Sequence, residues 1–160
     1  PHNPPLPTIW GTLDVVMDYA HAMDVYKAMV DALQPFAKND GLVLTPHFSH
    51  WYEWGVMLYA RCRIYNGPTD YREAVDLHDR FFKAGLDAAF KAGAVLNDHH
   101  GVGIRCAGHM KQQLGGSFEV LERIKSALDP NNIMCPGKLS LKRARVQSPR
   151  RKSSSNRARG

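Results

Sequence analysis

Ala94-Val95-Leu96-Asn97-Asp98-His99-His100-Gly101-Val102-Gly103 divides the chain into two unlike parts. A short apolar run ends in two adjacent histidines and a glycine-spaced turn. Upstream, apolar residues alternate between the periods of strands and helices; downstream the pattern is wholly helical. Such a turn projects polar side chains from a fixed backbone, as a reaction site requires. A solvent-exposed polar loop has the same spacing, so spacing alone leaves both readings open.

Upstream, Ile9, Leu13, Val15, Val16 and Met17 predict a strand over residues 8–18. Val25, Met29, Val30, Leu33 and Phe36 recur at spacings of three and four, which predicts a helix over 22–38. Pro35 is expected to kink or shorten its last turn, and Asn39-Asp40-Gly41 to stop it. Residues 41–45 read as a short strand, 46–50 as a transition, and 51–64 as a longer strand clearest at Val56-Met57-Leu58-Tyr59. After the break Asn66-Gly67-Pro68-Thr69, either Thr69 or Asp70 can cap a helix over 71–91. Its inward side is expected to hold Ala74, Leu77, Phe81, Leu86 and Ala89. With a short strand at 94–96, the order is two interleaved β-α-β units. That predicts an α+β fold: a ferredoxin-like antiparallel sheet with helices on one face.

Downstream, Ile104, Ala107, Met110 and Leu114 predict a short helix ended by Gly115-Gly116. Ser117 can cap a second, in which Phe118, Leu121, Ile124 and Leu128 share a face, and Asp129-Pro130 stops it. Residues 131–139 read as an ordered terminal turn. A C-terminal helical segment therefore follows the sheet.

The 160 residues suit one domain over 8–141, with a four-proline extended lead-in at 1–7 and a basic, disordered tail at 142–160. The net charge of +6 belongs to that tail, which holds eight of the 21 Lys and Arg and no acid. Removing them leaves 13 basic against 15 acidic side chains, so the body carries −2 and nucleic acid is not an expected partner. No run approaches the ~18 apolar residues of a membrane span, and no leader resembles a signal peptide. Cys62, Cys106 and Cys135 lack metal-site spacing and suit a reducing compartment, so a cytoplasmic location is expected. His2, His21, His78 and His109 have no supporting context and read as surface residues.

The run His99-His100-Gly101-Val102-Gly103 is followed by Leu121-Glu122-Arg123-Ile124-Lys125-Ser126-Ala127-Leu128-Asp129-Pro130-Asn131-Asn132-Ile133-Met134-Cys135-Pro136-Gly137-Lys138-Leu139. Together they resemble the end of a flavin-linked oxidase of the vanillyl-alcohol oxidase type. The likeness is to its alkyldihydroxyacetonephosphate synthase and glycolate oxidase branches and spans residues 8–141. The resemblance implies FAD as cofactor, and hydride removal from an alcohol, phenol or 2-hydroxy acid. The glycine-rich diphosphate loops of that family do not occur in these residues. The chain is therefore expected to be the substrate-side part, whether fragment, subunit or truncated product, with an FAD-binding domain or subunit supplied elsewhere. Homo-oligomerisation is left open. The alternative is a catalytically incomplete cap domain acting as a binding or assembly module.

The same resemblance assigns residues. His99 and His100 match the last two histidines of a His-His-His-Gly-Val-Gly motif that faces flavin and substrate, with Asp98 standing at the first position. Imidazole exchanges protons near neutral pH, which suits that role. Tyr59 falls on a tyrosine with an implied acid/base role, although an aromatic strand residue filling the core has the same pattern. His50, Tyr52 and Trp54 are expected to shape a substrate pocket. Arg105 would meet a substrate carboxylate or phosphate, or else cap local carbonyls. Asn132 and Lys138 would approach the flavin edge, or else hold the terminal turn. The metal pattern of the related 2-hydroxy-acid dehydrogenases pairs two histidines seven apart with a Glu-His. Here Met57 and His99 replace two of those ligands, so no metal is expected, although His47, His50, His99 and His100 could still converge in space.

Overall fold

A computed structural model describes residues 8–141. The lead-in of residues 1–7 and the basic tail of 142–160 lie outside the described residues. Strands β1 (Ile9–Asp18), β2 (Val43–Trp51), β3 (Gly55–Ile64) and β4 (Val95–Leu96) alternate with helices α1 (Ala22–Asp40) and α2 (Tyr71–Lys91) in the expected order. The sheet runs β2-β3-β1-β4 and every neighbouring pair is antiparallel, the ferredoxin-like arrangement the interleaved units predict. A single 3-10 turn (Ala107–His109), α3 (Met110–Leu114), α4 (Ser117–Leu128) and a second 3-10 turn (Lys138–Ser140) complete the described chain.

Alternation along β1 and β3 gives the sheet two different faces. On one face Leu13 opposes Ala60, Val15 opposes Leu58 and Met17 opposes Val56, all in the core. Onto this face α1 buries Val25, Met29 and Leu33, and α2 buries Leu77, Phe81, Leu86 and Ala89. Each such side chain stabilises the fold by about 1.5–3 kcal/mol before chain entropy is counted. The helices come close because Gly11 and Gly85 leave room. A Cβ on Gly11 would lie 2.6 Å from the Phe82 ring, and one on Gly85 would lie 3.2 Å from Leu13. On the other face Asp14 opposes Tyr59, and Tyr59 opposes His47. No helix of the ferredoxin-like unit covers that face.

Strand β4 pairs only Val15 and Val16, so the outer edge of β1 before Val15 has no fourth-strand partner. The chain folds back there after β4. This short strand positions the site, because the turn it feeds arrives beside Asp14.

Several local expectations are corrected. The stretch 46–50 is not a transition but part of β2, with Pro46 opposite Ala60 and a register irregularity between Phe48 and Trp51. Strand β2 is an edge of the sheet, where a residue without an N–H costs no ladder bond. Helix α1 continues through Pro35 to Asp40. Of the two residues expected as caps of α2, Asp70 takes the role, its carboxylate accepting from the N–H groups of Arg72 and Glu73 at 2.9 and 3.1 Å. Gly116 occupies the cap of α4 and Ser117 is already helical. The apolar face of α4 runs outward from buried Phe118 to Leu128, which is 82% exposed.

His78 is not at the surface. It lies one turn before Phe82 on the inward side of α2, stacked on that ring at 4.6 Å. Burial pushes its pKa down, opposed by its bond to Asp79. His109 is half-buried and pairs with Asp87 at 2.8 Å, whereas His21 is exposed and pairs with Asp18. Cys62 and Cys106 are buried and Cys135 is exposed; burial pushes the Cys62 thiol up to about 12. Among the described residues no helix is long and apolar enough to cross a membrane.

Candidate active site

The turn after β4 is held to β1 by its backbone. The Asn97 N–H donates to the Asp14 carbonyl at 2.9 Å, and the Asp98 N–H to the Asp14 carboxylate at 2.6 Å. Asn97 adopts φ 70° and Gly101 φ 80°, the left-handed region that Asn and Gly tolerate best. Those two positions reverse the chain, so that His99 and His100 lie above the helix-free face.

Asp14 is the residue that sequence reasoning missed. It is 6% exposed and accepts a hydrogen bond from His100 Nδ1 at 2.8 Å. An ionised carboxylate can only accept, so in the neutral ring the proton sits on Nδ1 and Nε2 keeps its lone pair. The available signal was one acid inside the apolar run Leu13-Asp14-Val15-Val16, in phase with the helix-free face. Its pairing with a turn 84 or more residues away was not available.

Tyr59 opposes Asp14 in the sheet, and its ring meets both histidines. It stacks on His99 at 6.0 Å and meets His100 edge-on at 5.6 Å, while the two imidazoles lie 3.9 Å apart. The three residues singled out for acid/base chemistry thus form one cluster. His47 adds a ring 5.3 Å from Tyr59 on its other side.

Asp98 organises a second group. Its carboxylate accepts from His50 Nδ1 at 2.8 Å, from the Tyr52 hydroxyl at 2.8 Å and from His99 Nδ1 at 3.2 Å. Partial burial would raise the Asp98 pKa, but these three donors outweigh it and hold the carboxyl below its usual range. The Tyr52 hydroxyl is correspondingly pushed up, chiefly by its bond to Asp98. Trp54 stacks on Tyr52 at 5.3 Å with rings almost parallel. His50 and Tyr52 therefore brace the turn from the β2–β3 hairpin with Trp54 stacked behind Tyr52, and none of the three lines the cavity beside His100.

An open cavity of about 720 Å³ adjoins the first cluster. Asp14, Tyr59, His100, Arg105 and Lys138 all line it, whereas Asn132 does not. Arg105 places its guanidinium 4.8 Å above the Phe82 ring. Asn132 belongs to the terminal turn, which Asp129 organises by accepting from the N–H groups of Ile133 and Met134 at 2.9 Å each. The Lys125 ammonium, bonded to the same carboxylate, holds the Asp129 pKa down, with those N–H groups adding to the effect. That turn returns to the site where the Leu139 N–H donates to the Gly103 carbonyl at 3.1 Å.

Two sets of donor atoms lie within 4.8 Å of one another: Asp14, His99 and His100, and His50, Asp98 and His99. Imidazole and carboxylate donors of this kind suit a divalent metal. In the second set Asp98 accepts from both histidines, whereas in the first Asp14 accepts from His100 alone and His99 bonds to Asp98. The convergence of His50 and His99, with rings 5.0 Å apart, was not visible in their spacing.

Residues 7–139 match the family described as FAD linked oxidases, C-terminal domain. The alkyldihydroxyacetonephosphate synthase of Trypanosoma brucei brucei is 31% identical over 94 residues, 58% of this chain and 15% of that protein. The D-lactate dehydrogenase of Archaeoglobus fulgidus is 29% identical over 76 residues, 48% of this chain and 17% of that protein. The uncharacterized FAD-linked oxidoreductase YgcU of Escherichia coli is 26% identical over 118 residues, 71% of this chain and 24% of that protein. The chain thus spans between 15 and 24% of the length of these three relatives.

Proposed function

We propose, from the premise that this chain belongs to the family of FAD linked oxidases, C-terminal domain, that it forms the substrate side of an FAD-dependent oxidoreductase of the vanillyl-alcohol oxidase type. The substrate class is an alcohol, phenol or 2-hydroxy acid. One observation carries the reading: the buried Asp14 orients His100 beside Tyr59 on a helix-free sheet face. Family membership makes FAD the cofactor, and when bound it accepts the hydride.

The donor set suits a flavin's substrate side, since His99, His100 and Tyr59 cluster on the helix-free face. Lys138, which lines the cavity, and Asn132 in the adjoining turn are the residues that would meet the cofactor edge. The FAD-binding domain that this side of the site would face lies outside residues 8–141.

The chain's own residues then divide the work. His100 Nε2 takes the proton from the substrate hydroxyl, and Asp14 stabilises the imidazolium that forms. Tyr59 donates a hydrogen bond to the same oxygen, and His99, oriented by Asp98, stacks on the Tyr59 ring and positions it. Arg105 holds a substrate carboxylate in the cavity. Positioned acid/base groups of this type contribute about 10²–10⁴-fold to rate.

The test joins this chain to an FAD-binding domain of the same family and follows the visible flavin band. The expected result is a yellow complex that a hydroxy acid or alcohol bleaches, with His100→Ala slowing bleaching by about 10²-fold or more at unchanged folded-state circular dichroism. A complex that never retains flavin, or bleaching indifferent to His100→Ala, would overturn the reading.

A further inference from the structure

Tyr52, expected from the sequence to shape a substrate pocket, lies outside the cavity beside His100. It is nonetheless held more tightly than a ring at a hairpin turn requires. The Tyr52 N–H donates to the Gly55 carbonyl at 2.8 Å, which closes the turn between β2 and β3. Its carbonyl accepts from the Tyr19 hydroxyl at 2.6 Å, which ties the turn to the chain just after β1. Its ring lies on that of Trp54, 6° from parallel. Both backbone groups and one ring face are thus fixed, and together they fix where the hydroxyl points.

That hydroxyl donates to Asp98 Oδ1, while both histidine bonds to Asp98 fall on Oδ2. The two histidine bonds are unequal: His50 Nδ1 lies 2.8 Å from Oδ2 and His99 Nδ1 lies 3.2 Å away. A carboxylate released on its Oδ1 side can turn about its own side-chain bonds, and the longer of two bonds to one oxygen is the first to fail. That is the His99 bond. In the neutral His99 ring it keeps the proton on Nδ1, and the same ring stacks on Tyr59, 12° from parallel. His100 is insulated from such a shift. Its Nδ1 bonds to Asp14, which Asp98 reaches through its backbone N–H and not its carboxylate.

We propose that Tyr52 is a positioning residue: from outside the cavity its hydroxyl fixes Asp98, Asp98 fixes the tautomer and tilt of His99, and His99 sets the plane of the Tyr59 ring. The inference rests on the acid/base site proposed above and adds to it a residue that touches neither substrate nor cofactor. It also separates two residues that stand alike around Asp98. Tyr52 supports the His99 bond, whereas His50 competes with His99 for a single oxygen.

The experiment compares Tyr52→Phe, which removes the hydroxyl and keeps the ring on Trp54, with His50→Ala. Imidazole ¹⁵N shifts of the flavin-free chain, assigned with single-histidine variants, report each tautomer. In Tyr52→Phe the His99 ring should lose its preference for Nδ1–H while His100 keeps its own. In His50→Ala the His99 preference should hold or strengthen. Asp98→Asn should reproduce the His99 change, since an amide carries one acceptor oxygen for three donors. In the flavin-bearing complex, Tyr52→Phe should slow bleaching at saturating substrate by about 10–100-fold, with half-saturation changed by less than about twofold because the hydroxyl lies off the cavity. Unchanged His99 shifts in Tyr52→Phe, equal loss at His99 and His100, or a His50→Ala effect matching that of Tyr52→Phe would each overturn the inference. Equal loss at the two rings marks a general loosening of the turn. A His99-selective shift with a failed bleaching experiment keeps the linkage from Tyr52 to His99 and removes the oxidoreductase reading. Bleaching that needs His100 but is indifferent to Tyr52→Phe removes only the positioning role.

Discussion

Asp14→Asn probes the bond that turns a surface histidine into an oriented base. The Asp14 carboxylate accepts from two donors, His100 Nδ1 at 2.8 Å and the Asp98 N–H at 2.6 Å, using one oxygen for each. An asparagine has one acceptor oxygen, so its amide N–H must face one of those donors. Asp14 is 6% exposed although His100 opens to the cavity, so water makes up the difference only in part. Losing one bond of this type costs about 1.5–3 kcal/mol. For a domain of this size, a loss of about 2 kcal/mol lowers Tm by roughly 4–8 °C. The functional effect is separable from the loss of stability. The His100 ring should lose its preference for the Nδ1–H tautomer, read from imidazole ¹⁵N shifts in the flavin-free chain. In the flavin-bearing complex the bleaching rate should fall by about 10²–10⁴-fold. An Asp14→Asn chain with unchanged tautomer and less than about 0.5 kcal/mol of destabilisation would refute the argument, since surface substitutions typically fall within that range.

Two further outcomes follow from the packing. Burial lowers the His78 pKa in the folded chain from 6.5, so on acidification the unfolded chain takes up a proton that the folded chain resists. Stability should therefore fall as pH drops below 6.5 towards the folded value. Urea midpoints measured at about pH 7.5 and about pH 5.5 should converge in His78→Gln relative to the parent, and an equal pH difference in both would contradict the burial argument. Gly11 and Gly55 should rank by what each Cβ meets. On Gly55 it would fall 2.2 Å from the Met17 carbonyl oxygen, part of a paired strand that cannot yield, whereas on Gly11 it meets a ring that can shift. Gly11→Ala should cost about 1–3 kcal/mol in chemical denaturation, with Gly55→Ala costing more; the reverse order would sink the reading.

Much of the architecture was legible because periodicity is local. Val25, Met29 and Leu33 announced α1, and all are buried; Asp70 was one of two residues named to cap α2, and it does so. Misreadings arose where tertiary position overrides local preference. Pro46 looked like the start of a transition, yet it sits on an edge strand that needs no N–H from it. Leu128 was placed on one apolar face with Phe118, yet that face leaves the core along the helix, from buried Phe118 to exposed Leu128.

The candidate site divides in the same way. Sequence by itself determined that His99 and His100 sit on a glycine turn after a short strand, because turn chemistry and apolar runs are written in neighbouring residues. It also placed Tyr59 on a strand, and the resemblance joined the two. Only the tertiary structure decided that Asp14 lies beneath His100, that Asp98 collects His50, Tyr52 and His99, and that Arg105 lines one cavity with Tyr59 and His100. Those relations depend on strand register and on the early end of β4. Both result from long-range pairing across the sheet, which no local pattern of residues encodes.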